Sequence, residues 1–442
     1  MNFLLRNLEK DLLHWKVSTH RQPLLLRGAR QVGKTSLVRF FGKKFKYFVE
    51  VNLEQNTKAR MVFDNFSDPL EIAQQLSILY DTPIVPNETL LFLDEIQSSP
   101  KAIQTLRYFS EQFPQLHVIA AGSLLEFALE GLSSFGVGRI TSLFLYPFSF
   151  SEFLQAAKKE LLLKEIQNAS PTKPLSESVH NLALVWYKKF LIVGGMPKAV
   201  SVYLESQDLI TAQNVLDQLI NTYVDDFAKY RKRIPTLVLK DVFDAVIQQN
   251  GRKFIYTKTS QQSTIYLVKQ CLELLEMAGL IYVIQHSAGN GIPLGAETNS
   301  KHKKYMILDT AIFQRILGLD LIDILLDTES ALVNKGQIAE LSVGLELLKN
   351  ASPQRKPSLY YWKRETKNSH AEVDFLIQKG LDIVPIEVKS GKHGKMQSLN
   401  MFLNEKKISK GIRTSQENFS TYGNIDVYPL YAVKNLLKPT QT

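Results

Sequence analysis

The chain has 442 residues and 45% hydrophobic content, enough for two or three globular domains with cores of their own. Lysine and arginine number 53 against 43 aspartate and glutamate, and the formal charge of +10 favours polyanionic partners such as nucleic acid. The single cysteine, Cys271, excludes a disulfide framework and any cysteine-based zinc site. No run of about 18 apolar residues offers a membrane span, and the charged start MNFLLRNLEKDLLHW does not read as a signal peptide, so a soluble cytoplasmic protein without membrane partners is expected.

In chain order, PLLLRG (23–28) predicts a buried strand and KTSLVRFFGKKF the helix that follows it. YFVEVNL (47–53), TLLFLDE (89–95) and HVIAAGS (117–123) predict three more strands, and SLFLYPFSF (142–150) a last one. Short apolar runs without alternation, separated by helical stretches, predict a parallel sheet covered on both faces. From Ser151 long helical segments take over: SEFLQAAKKELLLKEIQ, NLALVWYKKFLIVGG and TAQNVLDQLINTYVDDFAKYRKR, with the polar loop NASPTKPLSES among them. Residues 241–284 read as helix, helix, then the strand GLIYVIQ, the order of a winged-helix unit. GNGIPLGAETNSKHKK (289–304) reads as a polar Gly-rich loop and YMILD (305–309) as a strand. After TESALVNKG come the helix QIAELSVGLELLK and the strands SLYYWKRE, AEVDFLIQ and IVPIEVKS.

GARQVGKT (28–35) matches G-x-x-x-x-G-K-[ST] between a predicted strand and a predicted helix, the context that motif needs. Its glycines let backbone N–H groups curl round phosphates at a helix N-terminus, where the dipole favours negative charge. Gly28, Ala29, Arg30, Gln31, Val32, Gly33, Lys34, Thr35 and Ser36 are therefore the expected ATP-binding segment. Lys34 is expected to reach the β- and γ-phosphates, and Thr35 to ligate Mg2+. LLFLDEIQ places Asp94 and Glu95 at the end of an apolar strand, as a Walker B motif does. Asp94 is expected on the Mg2+ shell, and Glu95 to orient or deprotonate the attacking water. Acids at strand ends also serve as helix caps, so the pairing with the upstream loop carries the assignment. Ser123, ending HVIAAGS, is expected to touch the γ-phosphate or the water. Arg139, in GVGRI, is either a surface ion pair or a group that neutralises developing phosphoryl charge, in cis or toward a neighbouring subunit.

GARQVGKTSLV, LLFLDEIQ, AAGSLLEFAL and GRITSLFLYPFSFSEFL together resemble the prokaryotic AAA+ superfamily ATPases that carry a C-terminal domain of unknown function. GGMPKAV (194–200), YMILDTAI and EVDFLI…PIEVKSG are similar to the later motifs of that family, so the resemblance spans about residues 24–391. It implies an ATPase core, a helical and winged-helix region, and a nuclease-like domain at the end of the chain.

KYRKR (229–233), GRKF (251–254) and KHKK (301–304) are basic clusters that either contact phosphates or form solvated faces. The helical stripe Leu267, Cys271, Leu274 and Leu275 reads as core. In the terminal hairpin, Glu387 and Lys389 lie two apart and share a face, and Asp374 is on the neighbouring strand. With Glu340 on the preceding helix these residues resemble the D…(D/E)xK nuclease signature, in which acids hold a hard cation and a lysine stabilises hydroxide or developing charge. Val373 stands where many such enzymes have proline. Alternating outward charges on a half-exposed hairpin give the same pattern by chance.

The expected architecture is thus α/β: an AAA+-type P-loop ATPase domain with a parallel sheet (1–155), a helical and winged-helix-like region (156–325) and an α+β restriction-endonuclease-like domain (326–442). ATP and Mg2+ are the expected cofactors. Thr35 and Asp94 would hold Mg2+ with ATP, and Glu340, Asp374 and Glu387 a second Mg2+ beside Lys389. The expected partners are ATP and DNA, with protein partners and self-assembly left open. The competing reading is a nucleotide-switched signalling or scaffold ATPase with an inactive nuclease-like domain.

Overall fold

A computed structural model describes residues 4–123, 125–130, 138–230, 234–259, 263–319, 335–365, 371–391 and 394–438. Residues 231–233 of KYRKR and most of TESALVNKG lie outside them. The chain divides into two compact units: Met1–Pro147 with Met277–Gly279 and Ser352–Lys356, and the remainder, Phe148–Glu276, Leu280–Ala351 and Pro357–Thr442.

The first unit is built on β1 (Leu24–Arg27), β2 (Tyr47–Asn52), β3 (Thr89–Asp94), β4 (His117–Ala121) and β5 (Thr141–Phe144). Their order is β2-β3-β4-β1-β5, and every pairing is parallel. Apolar residues at consecutive positions explain this, because both faces of β3 and β4 are buried at every residue. Helices Thr57–Asn65, Pro69–Leu79 and Pro100–Gln112 cover one face, packing Phe63, Ile72, Leu76, Leu106 and Phe109 against Val49, Val51, Leu91 and Leu93. Their starts are set locally: Asn56, Asp68 and Ser99 cap them with side-chain oxygens. The expected strand 142–150 ends early, at Phe144. Pro147 has no N–H to offer a ladder, and Ser149 with Glu152 forms a capping box that starts the helix Phe150–Ala156.

The second unit holds the helices Glu160–Asn168, Glu177–Val193, Pro197–Ser206, Leu209–Asp226, Thr236–Gln248 and Ile265–Met277, and an eight-stranded sheet. Its strands are β6 (Ile281–Ser287), β7 (Thr298–Ile307), β8 (Leu359–Lys363), β9 (Glu372–Lys379), β10 (Asp382–Val388), β11 (Gly411–Ser415), β12 (Ser420–Tyr422) and β13 (Ile425–Pro429), in the order β12-β13-β11-β10-β9-β8-β6-β7. Two helices and a hairpin do follow one another as expected, but β6–β7 is not a free wing. β6 pairs parallel with β8, so the hairpin is the edge of the same sheet that holds β9 and β10. Residues 298–304, expected as loop, are strand, because an edge strand leaves one face wet and its polar residues need no core. Of the expected stripe on helix Ile265–Met277, Cys271, Leu274 and Leu275 are buried and Leu267 is half-buried, while Val268 beside it is buried instead. Among the described residues no helix is long and apolar enough to cross a membrane.

Candidate functional site

Two constellations of charged side chains stand out, one in each unit. In the first, β1 delivers the loop 28–33 to the start of helix Lys34–Gly42. Gly28, at φ 146°, admits no side chain, because a Cβ there would run into the carbonyl oxygen of Leu145. Gly33, at φ 96°, turns the chain into the helix in a left-handed conformation. Arg6 braces the loop by donating to the Val32 carbonyl at 2.9 Å, a contact that nothing in the loop motif foretells.

Lys34 lies back on the loop it belongs to, donating to the carbonyls of Gly28 and Ala29 at 2.8 Å each. Burial pulls its ammonium down to about 8, against the opposing charges of Glu95 and Asp94. Thr35 donates its hydroxyl to Asp94 Oδ2 at 3.0 Å, so loop and strand end already meet where a hard cation would sit between two oxygens. Burial raises Asp94 above the usual carboxylate range, with the Thr35 hydrogen bond acting the other way. Glu95 Oε2 accepts from Gln97 Nε2 at 2.5 Å, from Ser123 Oγ at 3.1 Å and from the Ser123 N–H at 3.3 Å. Ser123 therefore reaches the site through Glu95. Gln97 was not foreseen; its place two residues after Glu95 was the only signal.

Arg139 is not brought to this site. It precedes β5 at the N-terminal end of the parallel sheet, opposite the end from which the loop leaves, and pairs with Glu111 at 2.5 Å with 54% of its side chain exposed. About six residues of extended chain, roughly 20 Å, separate it from the level of the loop. A cis role on the same nucleotide does not fit that placement.

In the second unit, β9 and β10 pair antiparallel with Ile386 opposite Phe375, which sets Glu387 opposite Asp374 on one face. Asp374 Oδ2 accepts from the Val388 N–H at 2.7 Å, and Lys389 Nζ donates to Glu387 Oε1 at 2.6 Å. Glu387 Oε2 is buried and has no hydrogen-bond partner. The helix Lys335–Lys349 lies over β7 and β10 and contributes Glu340. Here the expectation needs correcting, because Glu340 is already engaged. Lys304 of β7, wholly buried, reaches Glu340 at 3.0 Å and Glu372 at 2.6 Å. In sequence KHKK reads as either a phosphate contact or a solvated face, yet its last lysine is the internal counter-ion of an acidic pocket. Burial alone would lower that ammonium, but Glu340, Glu372 and Asp374 together hold it above its ordinary value. Burial pushes Glu340 up to about 7, with Asp374 adding to the rise and Lys304 opposing it. Glu387 is likewise pushed up to about 7 by burial and by Asp374. Asp374 is raised by burial. Four acids, Glu340, Glu372, Asp374 and Glu387, face three buried or half-buried lysines, Lys304, Lys363 and Lys389, which leaves room for further positive charge.

Residues 20–154 match the model of an AAA domain. The first part of the chain thus pairs an AAA-domain match with a P-loop between β1 and a helix on a parallel sheet. Residues 185–323 match a domain of unknown function, DUF8612, and residues 335–433 another, DUF4143. No curated protein matches the chain. Similar solved structures include a Walker-type ATPase of Pyrococcus abyssi, at 16% identity over 71% of this chain and 95% of that one, with a TM-score of 0.46. The Orc1 protein of Aeropyrum pernix in complex with DNA follows at 14%, 73%, 95% and 0.31, and unliganded Pif1 of a Bacteroides species at 15%, 41%, 49% and 0.22. These likenesses are too distant to bear on function.

Proposed function

We propose that the AAA domain binds and hydrolyses ATP with Mg2+, and that nucleotide turnover is coupled to the acidic pocket of the second unit, which handles DNA. The observation that carries the reading is the convergence of Lys34, Thr35, Asp94 and Glu95 at the end of β1 and β3, with Thr35 and Asp94 in hydrogen-bond contact. Thr35 and Asp94 suit a hard cation held between two oxygens, and that cation, when bound, neutralises charge on the phosphates. Lys34 exchanges its two loop carbonyls for phosphate oxygens when nucleotide enters, a trade of dipoles for full charges. Glu95, held by Ser123 and Gln97 with one oxygen engaged, keeps its other oxygen available to take a proton from water. Asp374, Glu387 and Lys389 supply the acids and the lysine that phosphodiester chemistry uses.

A second reading has its own support. Lys304 places an ammonium against Glu340 and Glu372, where an active nuclease would keep acids open to a metal. On that reading the pocket is a binding or structural feature, and the protein uses nucleotide state as a switch toward protein partners. ATP turnover measured with and without single- and double-stranded DNA, and over rising salt, separates the two. DNA stimulation lost at high salt supports coupling to DNA. Turnover indifferent to every nucleic acid sinks the DNA role and leaves the switch. Cleavage is tested in parallel with Mg2+ or Mn2+, where nicking by the wild type and not by Asp374→Ala supports a nuclease. Equal behaviour of the two proteins removes it.

A further inference from the structure

We propose that His286, His302 and Glu365 form a binding site for a divalent cation of the Zn2+ class, separate from the acidic pocket and independent of its function. One nitrogen of each imidazole and one carboxylate oxygen of Glu365 lie within 4.8 Å of one another. His286, on β6, is 2% exposed, and its Nε2 stands 3.1 Å from the carbonyl oxygen of Lys363. A carbonyl only accepts, so Nε2 carries a proton, and in the neutral ring Nδ1 presents a bare lone pair. That Nδ1 is buried, has no hydrogen-bond partner, and faces Glu365 Oε1 at 4.0 Å. His302 Nδ1 is buried without a partner as well.

The surroundings are those of a prepared site. The Lys363 carbonyl fixes the tautomer of His286, and Asn299 Nδ2 donates to Glu365 Oε1 at 2.8 Å, the kind of outer partner that orients a ligating carboxylate. Two neutral imidazoles and one carboxylate suit Zn2+, Co2+ or Ni2+ over Mg2+, and leave a further position to water. Ligand bonds of about 2.0–2.1 Å put neighbouring donors roughly 3.3 Å apart, so the three groups must close by up to about 1.5 Å. Glu365, with its side chain 56% exposed, is the member able to move. Lys253 and Lys363 act on His302 from nearby and oppose a cation, so coordinate bonds must supply the affinity.

A cation here ties β6 and β7 to the segment leaving β8. His302 and Lys304 are two apart on one face of β7, and the Tyr361 ring packs on His286 at 5.6 Å while lying 4.8 Å from Lys304 Nζ. The metal thus fixes the strand that carries Lys304 to Glu340 and Glu372.

The test is a titration of metal-stripped, nucleotide-free full-length protein with Co2+, read by its visible d–d absorption, and then displacement by Zn2+. One equivalent with the intense spectrum of low-coordinate nitrogen and oxygen ligation is expected, retained in Asp374→Asn. His302→Gln should abolish that signal, and Glu365→Gln, at an exposed position that leaves folding intact, should weaken binding at least about tenfold. No such signal in the wild type overturns the proposal. So does a signal unchanged in both His302→Gln and Glu365→Gln, or one lost in Asp374→Asn instead.

Discussion

Glu95 sits at φ 49° and ψ 45°, a left-handed backbone that a non-glycine residue adopts only when its surroundings hold it there. Those surroundings are its own side-chain bonds to Ser123 and Gln97, which place one carboxylate beside Asp94 and Lys34. Replacing Glu95 with Gln keeps the shape and removes the base. Hydrolysis should fall by about 10²–10³ while ATP binding stays within a few-fold, measured by steady-state turnover beside equilibrium binding. Ser123→Ala removes one of the holding bonds and should lower kcat by about tenfold with KM little changed, the mark of a positioning residue. Lys34 adds a pH signature. Its free ammonium is pulled down to about 8, and bound triphosphate favours the charged form, so affinity is full below pH 8 and declines above it. A non-hydrolysable ATP analogue should bind about tenfold more weakly at pH 9 than at pH 7, because one proton must be taken up. A flat profile would remove Lys34 as the phosphate cation.

At the scale of elements, the helix Lys335–Lys349 is fitted to the sheet at Gly344, where a Cβ would run into Met306 Sδ and the Phe375 ring. Gly344→Ala should destabilise the second unit by about 1–3 kcal/mol in urea unfolding, in spite of the higher helix propensity of alanine. Lys304→Ala leaves buried Glu340 without its cation and Glu372 with Lys363 alone, and should cost about 3–5 kcal/mol, whereas Lys304→Met should cost less. Local patterns explain why some of this was legible and some was not. The loop 28–35, Asp94 with Glu95, and the positions and parallel pairing of the first five strands follow from contiguous motifs and unbroken apolar runs, whereas their order in the sheet does not. Asp374, Glu387 and Lys389 were readable because a hairpin fixes which residues share a face. Lys304 was not, because its partners come from a helix and a strand more than 30 residues on, and a lysine in a basic run looks solvated. β11 carries Arg413 and Thr414 and β13 carries Asp426 inside short strands, and β12 is only the three residues Ser420–Tyr422, which blurs their apolar signal.

Over the whole molecule, burial of unbalanced acids makes stability depend on pH in a direction opposite to that of ordinary ion-paired carboxylates. Glu340 and Glu387 are held at about 7 in the folded chain against 4.5 ordinarily, so the folded state binds more protons between those values. Their contribution is full below pH 4.5 and is lost as pH rises through 7. A divalent cation that neutralises the pocket should therefore raise Tm more at pH 8 than at pH 5.5 in nucleotide-free protein, and this difference should shrink in Glu387→Gln. An equal shift at both pH values would place the cation elsewhere. Both units thus carry acids arranged around a place for positive charge. The most direct measurement is ATP turnover and ATP binding by wild-type protein and Glu95→Gln, run side by side with Mg2+. Hydrolysis by the wild type and its loss in the variant with binding retained is the predicted result. Hydrolysis undiminished in Glu95→Gln would contradict the assignment of the site.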